Sequence, residues 1–165
     1  SSVPIEKQII EAPASVFESQ EDVKNAFKKN ELDSDSIIVV RFQGPIANGM
    51  PELHGLTPIL SVLQDRGIKV ALITDGRMSG ASGKVPAAIH LSPEASSSGP
   101  ISKIKNGDLI RLDALSGELN NLEKNFESRE VRKKDLTKNE SGLGRELFKV
   151  FRENAKSAKY GGGIT

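Results

Sequence analysis

The run Ile37-Ile-Val-Val-Arg-Phe42 is the strongest strand signal in the sequence. Its nearly continuous β-branched residues predict a strand that is buried on both faces, as in a parallel sheet. Thr57 is predicted to cap a helix that Pro58 opens, and Gly67 is predicted to end it. A second strand is predicted over residues 68–74. Strand, helix and strand in this order predict a right-handed βαβ unit.

Each of these two strands is followed by a polar loop. The first loop, residues 43–54, contains two glycines and two prolines, which predict an irregular path. The second loop, residues 75–84, combines three glycines with charged and hydroxyl side chains. Because the carboxyl ends of parallel strands meet at one edge of the sheet, the two loops should lie together, where ligands bind in such sheets.

The amino-terminal third carries weaker signals. Residues 3–10 predict an edge strand, and residues 14–17 predict a second extended segment. Ser19, followed by acidic residues at 21 and 22, is typical of a helix start, and this helix should end near Asn30.

The carboxyl-terminal part is predicted to begin with a hairpin. Asn106-Gly107 is the preferred type I′ turn, so residues 101–105 and 108–113 are expected to pair. Another strand is expected over residues 118–122. The charged segment 123–140 is predicted to be solvated or mobile. Apolar residues at helical spacing predict a terminal helix over residues 141–160, stopped by the following glycines.

The amino-acid composition excludes several classes of function. The 165 residues fit one domain, 36% of them are hydrophobic, and the net charge is +1. This balance gives no electrostatic case for nucleic acid or a membrane surface, and no apolar run is long enough to span a membrane. The chain has no cysteine, which excludes disulfides, thiolate nucleophiles and an iron–sulfur cluster held by this chain alone. No secretory signal is visible, so a cytoplasmic location is expected.

Familiar catalytic motifs do not fit the loop at 75–84. A phosphate-binding P-loop ending at Gly83-Lys84 would need glycine in place of Met78. A nucleophile elbow would need glycines two residues before and two residues after Ser79, where Arg77 and Ala81 stand. A Ser-His-Asp triad could be drawn from Ser79, either histidine and Asp75, with weak support. His90 is expected to be packed or partly satisfied, and Asp75 is expected to cap loop amides rather than catalyse.

Six segments in and around the two loops form a recognisable set of motifs: Val40-Arg-Phe-Gln-Gly-Pro45, Gly49-Met-Pro-Glu52, Leu72-Ile-Thr-Asp-Gly-Arg-Met-Ser-Gly80, His90-Leu-Ser-Pro-Glu-Ala95, Gly99-Pro-Ile101 and Asn106-Gly-Asp-Leu-Ile110. With these motifs the chain resembles the dihydroxy-acid and 6-phosphogluconate dehydratase family, and the resemblance covers most of residues 10–155. Met78, Ala81-Ser-Gly-Lys-Val-Pro86 and Leu53-His-Gly-Leu56 resemble its 6-phosphogluconate branch.

The resemblance implies a fold and a place in a larger enzyme. Family enzymes are several times longer, and this chain resembles their carboxyl-terminal domain. That domain is an α/β unit, a swivelling, β-barrel-like mixed sheet flanked by helices that covers the active site. The family's iron–sulfur cluster, expected to be 4Fe-4S, is bound by an amino-terminal domain absent from this chain. The fragment alone is therefore expected to be inactive, and its partners are that domain and a second copy in a homodimer.

The resemblance also implies a reaction and roles for residues. The expected activity removes water from 6-phospho-D-gluconate to give 2-keto-3-deoxy-6-phosphogluconate, in the Entner–Doudoroff pathway. Ser79 matches the position of the general base, which can act only as an alkoxide stabilised by cations. Glu52 matches a ligand of a divalent metal, expected to be Mg²⁺. Ser82 matches a residue that contacts substrate. Arg77 and Lys84 are candidates, by charge and proximity, to bind the substrate's carboxylate or phosphate.

Alternatives remain open at this stage. Arg77 and Lys84 could be surface charges or ion pairs with Asp75 or Glu94. The whole protein could dehydrate another dihydroxy or aldonic acid, such as the precursors of branched-chain amino acids. The chain could also act alone as a small-molecule binding module.

Overall fold

The computed structural model describes residues 8–78 and 85–164. Within these ranges it contains six β-strands, four α-helices and several short 3₁₀ turns. The helices and strands, in chain order, are β1 (Ile9–Phe17), α1 (Gln20–Lys28), β2 (Ser36–Val40), α2 (Pro45–Asn48), α3 (Thr57–Asp65), β3 (Val70–Thr74), β4 (Ala87–Ala88), β5 (Leu109–Asp113), β6 (Glu118–Asn121) and α4 (Lys149–Asn154).

The six strands form one mixed sheet in the order β4-β3-β2-β1-β5-β6. Strands β1 to β4 run parallel, whereas β5 is antiparallel to both β1 and β6. The sheet curls into a half-barrel flanked by helices. The α/β class and the β-barrel-like mixed sheet are therefore confirmed, while the swivelling of this domain stays a prediction.

The predicted βαβ unit is confirmed at the centre of the sheet. Every residue of β2 and β3 is buried, and Ile38 pairs with Leu72. Helix α3 connects the two strands, and Gly67 follows it with φ +85°, a value that glycine adopts without strain. The predicted cap is wrong, because Thr57 is the first helical residue and Leu56 precedes it.

Side chains on the two faces of this sheet build two core layers, because successive residues of a strand point to opposite faces. Ile37, Val39, Ala71 and Ile73 pack on one face against residues of β1 and β5. Residues at the intervening positions of β2 and β3 pack on the other face against α1 and α3. Burial on both faces explains why these strands are apolar except at Ser36 and Thr74, which lie at their ends.

Strand β1 joins the two extended segments predicted near the amino terminus. Residues 9–13 pair with β5, and residues 14–17 pair with β2. Pro13, which has no amide hydrogen, stands where the strand changes its partner. Ser19 caps α1 as predicted, with its Oγ accepting a hydrogen bond from the Asp22 amide at 3.1 Å. Residues 3–7 of the predicted edge strand lie outside the described residues.

The hairpin predicted at Asn106-Gly107 is wrong. Residues 100–103 form a 3₁₀ helix instead of a strand. Strand β5 pairs with β1 and β6, and not with residues 101–105. The Gly107 amide donates to the Ala14 carbonyl at 2.8 Å, so the dipeptide contacts β1 instead of closing a hairpin. Ile101 and Ile104 are both buried. Their spacing of three residues is typical of a helix, but the hairpin prediction relied on the Asn106-Gly107 dipeptide instead.

The charged segment 123–140 contacts the sheet at several points. Arg129 forms an ion pair with Asp108, and the Arg132 amide donates to the Ser102 carbonyl at 3.2 Å. Lys134 lies 3.5 Å from Glu18. The predicted mobility of this segment stays a prediction.

The terminal helix is shorter than predicted. Within residues 141–160, a 3₁₀ turn over Arg145–Phe148 leads into α4, and the chain is extended again at Ala155. Gly142 and Gly144 adopt positive φ angles, which a continuous helix does not permit. The apolar side chains of this region, including Leu147 and Val150, are exposed. Among the residues that the structure describes, none of the helices has the length and apolar character of a membrane span.

Candidate functional site

The two polar loops meet at the carboxyl edge of the sheet, as predicted. Glu52 in the first loop and Arg77 in the second form an isolated parallel β-bridge. The Leu53 amide donates to the Arg77 carbonyl at 3.0 Å. Backbone hydrogen bonds therefore hold the candidate metal ligand beside a candidate substrate-binding residue.

The Arg77 side chain spans from one loop to the other. Its Nε donates to the Met50 carbonyl at 2.9 Å, and its Nη1 lies 3.9 Å from Oε2 of Glu52. About half of the Arg77 side chain is exposed. The alternative ion pairs of Arg77 with Asp75 or Glu94 are not formed, because both acids are engaged by backbone amides. Arg77 thus keeps an exposed positive face beside Glu52.

Asp75 joins three backbone segments around the site. Its buried carboxylate accepts hydrogen bonds from the amides of Phe42 at 3.1 Å, Gln43 at 2.9 Å and Ala95 at 2.9 Å. Burial raises the pKa of the Asp75 carboxyl, and the three amides oppose that rise only in part. The predicted capping role is confirmed.

Glu94 holds the first loop from the opposite side. Only 1% exposed, it accepts hydrogen bonds from the amides of Ile46 at 3.0 Å and Ala47 at 2.8 Å. These amides belong to the first turn of α2, whose capping position, Gly44, has no side chain to satisfy them. A Cβ at Gly44 would lie 2.4 Å from Oε2 of Glu94. The prediction of a wholly irregular first loop is therefore wrong, since Glu94 supports a short helix within it.

Arg41 is a further buried charge that the sequence analysis did not single out. Its Nη1 donates to the carbonyls of Ser102 and Ile104, both at 3.0 Å, and its Nη2 lies 3.3 Å from Glu18. Burial lowers the pKa of the Arg41 guanidinium. Because Arg41 directly follows β2, these contacts attach the 3₁₀ helix of residues 100–103 to the edge that carries the site. The only sequence signal for Arg41 was its place within an otherwise apolar run.

The structure does not bring a Ser-His-Asp triad together from described residues. The Asp75 carboxylate is engaged by backbone amides, and the side chains of His54 and His90 are both exposed. The expectation that His90 is packed is wrong, because it stands in a bend with φ +59° and is exposed, whereas the alternative that it is partly satisfied stays a prediction.

Three predicted site residues, Ser79, Ser82 and Lys84, lie outside the described residues. The residues on either side of this segment, Met78 and Val85, are buried in the same core layer. Ser79 follows Arg77 by two residues in the sequence. The roles of the three residues stay predictions.

Glu52 can supply one oxygen ligand to a metal ion, and its side chain is partly exposed. Across residues 8–78 and 85–164, no group of three or more metal-binding side chains is found. A carboxylate at the rim of a domain fits a site that a second part of the protein completes, and hard oxygen donors suit Mg²⁺. The chain has no cysteine, so thiolate ligands of an iron–sulfur cluster would also have to come from elsewhere.

Comparison with known proteins identifies the family. Residues 1–162 match the family model for the dihydroxy-acid/6-phosphogluconate dehydratase carboxyl-terminal domain. The chain is 54% identical over 99% of its length to the phosphogluconate dehydratase of Rhizobium meliloti, and 55% identical over 98% to that of Escherichia coli K12. It is 38% identical over 92% to the dihydroxy-acid dehydratase of Ignicoccus hospitalis.

The chain spans only 27% of the length of each of these three relatives. The match to the family model covers both polar loops and all six strands. This chain therefore belongs to the dihydroxy-acid/6-phosphogluconate dehydratase family, as a carboxyl-terminal domain of that family.

Proposed function

We propose that the chain is the carboxyl-terminal domain of a phosphogluconate dehydratase, a hydro-lyase. The whole enzyme would remove water from 6-phospho-D-gluconate to give 2-keto-3-deoxy-6-phosphogluconate, a step of the Entner–Doudoroff pathway. The observation that carries this proposal is the identity of 54–55% to two phosphogluconate dehydratases, against 38% to a dihydroxy-acid dehydratase. The arrangement of Glu52 and Arg77 at the sheet edge supports it.

The reaction removes a proton from C2 of the sugar acid and a hydroxyl group from C3, and the resulting enol becomes a 2-keto acid. When bound, an iron–sulfur cluster and Mg²⁺ would supply Lewis acidity for the departing hydroxyl and the developing enediolate. Glu52 offers one carboxylate oxygen to the metal. Arg77, whose Nη1 lies 3.9 Å from Oε2 of Glu52 and whose side chain is about half exposed, can bind the substrate carboxylate. Ser79, two residues after Arg77, would take the C2 proton on its Oγ.

The remainder of the enzyme completes this site in our proposal. The amino-terminal part would hold the cluster, whose expected type is 4Fe-4S, and the other metal ligands. The protein would act in the cytoplasm as a homodimer. These assignments extend the family resemblance.

A substrate comparison tests the proposal. The full-length protein, prepared anaerobically with its cofactors, is assayed on 6-phosphogluconate and on 2,3-dihydroxyisovalerate. We expect kcat/KM to favour 6-phosphogluconate by at least about 10²-fold, a difference of roughly 3 kcal/mol in transition-state stabilisation. A preference for 2,3-dihydroxyisovalerate would reject the assignment. It would favour the second candidate, a dihydroxy-acid dehydratase, which the relative from Ignicoccus hospitalis supports.

A further inference from the structure

A pocket adjoins the candidate site on the side of the carboxyl-terminal segment. Its volume is about 390 Å³, within the range of small-molecule sites, roughly 300–1,000 Å³. One wall is formed by α2 and the residues after it, up to Met50, and the other by residues 145–164. The Met50 carbonyl also accepts the hydrogen bond from Arg77 Nε. The pocket and the Glu52–Arg77 pair therefore share Met50 as a common boundary.

The pocket has a positive lining. Arg145 and Arg152 are its charged residues, and no Asp or Glu among the described residues lines it. Arg145 Nη1 donates to the Lys138 carbonyl at 2.9 Å. Arg152 donates through Nη1 to the Arg145 carbonyl at 2.6 Å and through Nη2 to the Glu140 carbonyl at 3.0 Å. These neutral acceptors orient the guanidiniums without cancelling their charge.

The carboxylates nearby in sequence have other partners. Glu146 Oε1 accepts the Gly142 amide at 2.7 Å, and Glu153 lies 3.7 Å from Lys149 Nζ. The Gly142 amide, with smaller effects that include the charge of Arg152, holds the pKa of Glu146 below its usual range. Within residues 8–78 and 85–164, neither Arg145 nor Arg152 forms an ion pair. An anion in the pocket would therefore meet two guanidiniums whose charges are not paired.

The remaining lining suits a small polar ligand. The amide side chains of Asn48 and Asn139 contribute further polar groups, and the rings of Phe148 and Phe151 form an apolar wall. The carboxyl-terminal segment folds back over the first loop. Gly162 adopts φ +65°, and a Cβ at this position would lie 3.5 Å from Pro45. The carboxyl-terminal segment thereby forms the wall of the pocket that faces the loop with Glu52.

We propose that this pocket binds the phosphate group of the substrate through Arg145 and Arg152. The inference rests on the proposed function, because it assumes that the reacting end of the sugar acid lies at Glu52 and Arg77. A six-carbon acid with a terminal phosphate carries a negative carboxylate at one end and a negative phosphate at the other. Arg77 would bind the carboxylate, and Arg145 and Arg152 would bind the phosphate. Guanidiniums bind phosphate oxygens with a planar pair of donors, which a single ammonium cannot provide. An acid without a phosphate gains nothing from this pocket, so the two arginines would select phosphorylated substrates.

The test compares kinetic constants of the full-length enzyme and its variants. Arg145→Gln and Arg152→Gln should each raise the KM for 6-phosphogluconate about tenfold while changing kcat little, as expected for losing one hydrogen bond to a charged group. The double variant should raise KM further. Arg152→Lys, which keeps the charge but loses the planar pair of donors, should fall between Arg152→Gln and the wild type. Arg66→Gln, at the end of α3 near the opposite edge of the sheet, is the matched control and should leave KM unchanged.

The results distinguish a failure of the phosphate-binding inference from a failure of the proposed function. If the wild type turns over 6-phosphogluconate and both glutamine variants keep its KM, the phosphate inference is overturned and the proposed function stands. A lower kcat at unchanged KM also overturns the inference. If the wild type prefers 2,3-dihydroxyisovalerate, the proposed function itself fails. Circular dichroism of each variant shows whether the fold is retained, and the KM effect of Arg152→Lys remains a readout if a glutamine variant does not fold.

Discussion

At the scale of single residues, buried acids hold the candidate site together, and the residues proposed to bind metal and substrate, Glu52 and Arg77, are at least partly exposed. Asp75 and Glu94 together accept hydrogen bonds from five backbone amides, four within or next to the first candidate loop and the fifth at Ala95. An unpaired buried amide costs roughly 1–3 kcal/mol, so these carboxylates determine the loop conformation. Glu52 and Arg77 are then presented at the surface of a rigid edge.

Replacing Asp75 with asparagine should destabilise the fold. In Asp75→Asn one oxygen becomes an NH₂ group, which cannot accept the hydrogen bonds that the amides donate. We expect the free energy of unfolding to fall by roughly 1–3 kcal/mol, measured by urea unfolding of the chain. Asp33→Asn, at an exposed position, is the control. Equal stability of Asp75→Asn and the wild type would contradict the capping role.

Glu52→Gln should weaken the dependence of activity on divalent metal. The amide oxygen is a neutral and weaker ligand than the carboxylate, so more Mg²⁺ should be needed for half-maximal activity of the full-length enzyme. A titration of activity with Mg²⁺ measures this concentration. Glu31→Gln, an exposed change on the surface, is the control. An unchanged titration curve would remove Glu52 from the metal site.

At the scale of elements, the sequence predicted the βαβ unit because each of its signals is local. Apolar strands, a proline near the helix start and a glycine after its end all act within a few residues. The hairpin prediction failed because Asn106-Gly107 contacts β1, about 90 residues earlier in the chain. The short helix α2 was missed for a similar reason. The amides of its first turn donate hydrogen bonds to Glu94, which lies 47 and 48 residues further along the chain.

The ion pair between Asp108, the residue before β5, and Arg129 of the charged segment gives a prediction for pH dependence. Burial would raise the pKa of Asp108, but hydrogen bonds from Arg129, the Lys105 amide and Asn121 outweigh it, and the pKa lies below its usual value. Asp108 therefore stabilises the fold above its unfolded-state pKa of about 3.9, and this contribution is lost as the pH falls through the folded-state value.

Asp108→Asn should remove this contribution. We expect the variant to be less stable than the wild type at pH 7, with a difference that shrinks as the pH falls below about 3.9. Urea unfolding at several pH values measures the difference, with Asp33→Asn as the control. A difference that stays constant from neutral to acidic pH would show that the charge of Asp108 does not contribute.

At the scale of the whole molecule, we propose that the chain presents part of a site rather than a complete one. The edge with Glu52 and Arg77 adjoins the positive pocket at the first loop, and Ser79 follows Arg77 by two residues in the sequence. The family resemblance predicted the residues of this edge, since the motifs 49–52 and 72–80 are local in sequence. The pocket could not be predicted in this way, because it forms only when residues 145–164 fold back over α2.

The most direct test of the proposed function is the rate at which the full-length enzyme dehydrates 6-phosphogluconate, with and without the hydroxyl group of Ser79. We expect turnover by the wild type and a loss of at least about 10²-fold in kcat for Ser79→Ala, the scale of positioned proton transfer, with the cluster absorbance retained. Ser97→Ala, at an exposed position, should react at the wild-type rate. A near-normal rate for Ser79→Ala would contradict the claim that this domain contributes a catalytic group to the active site.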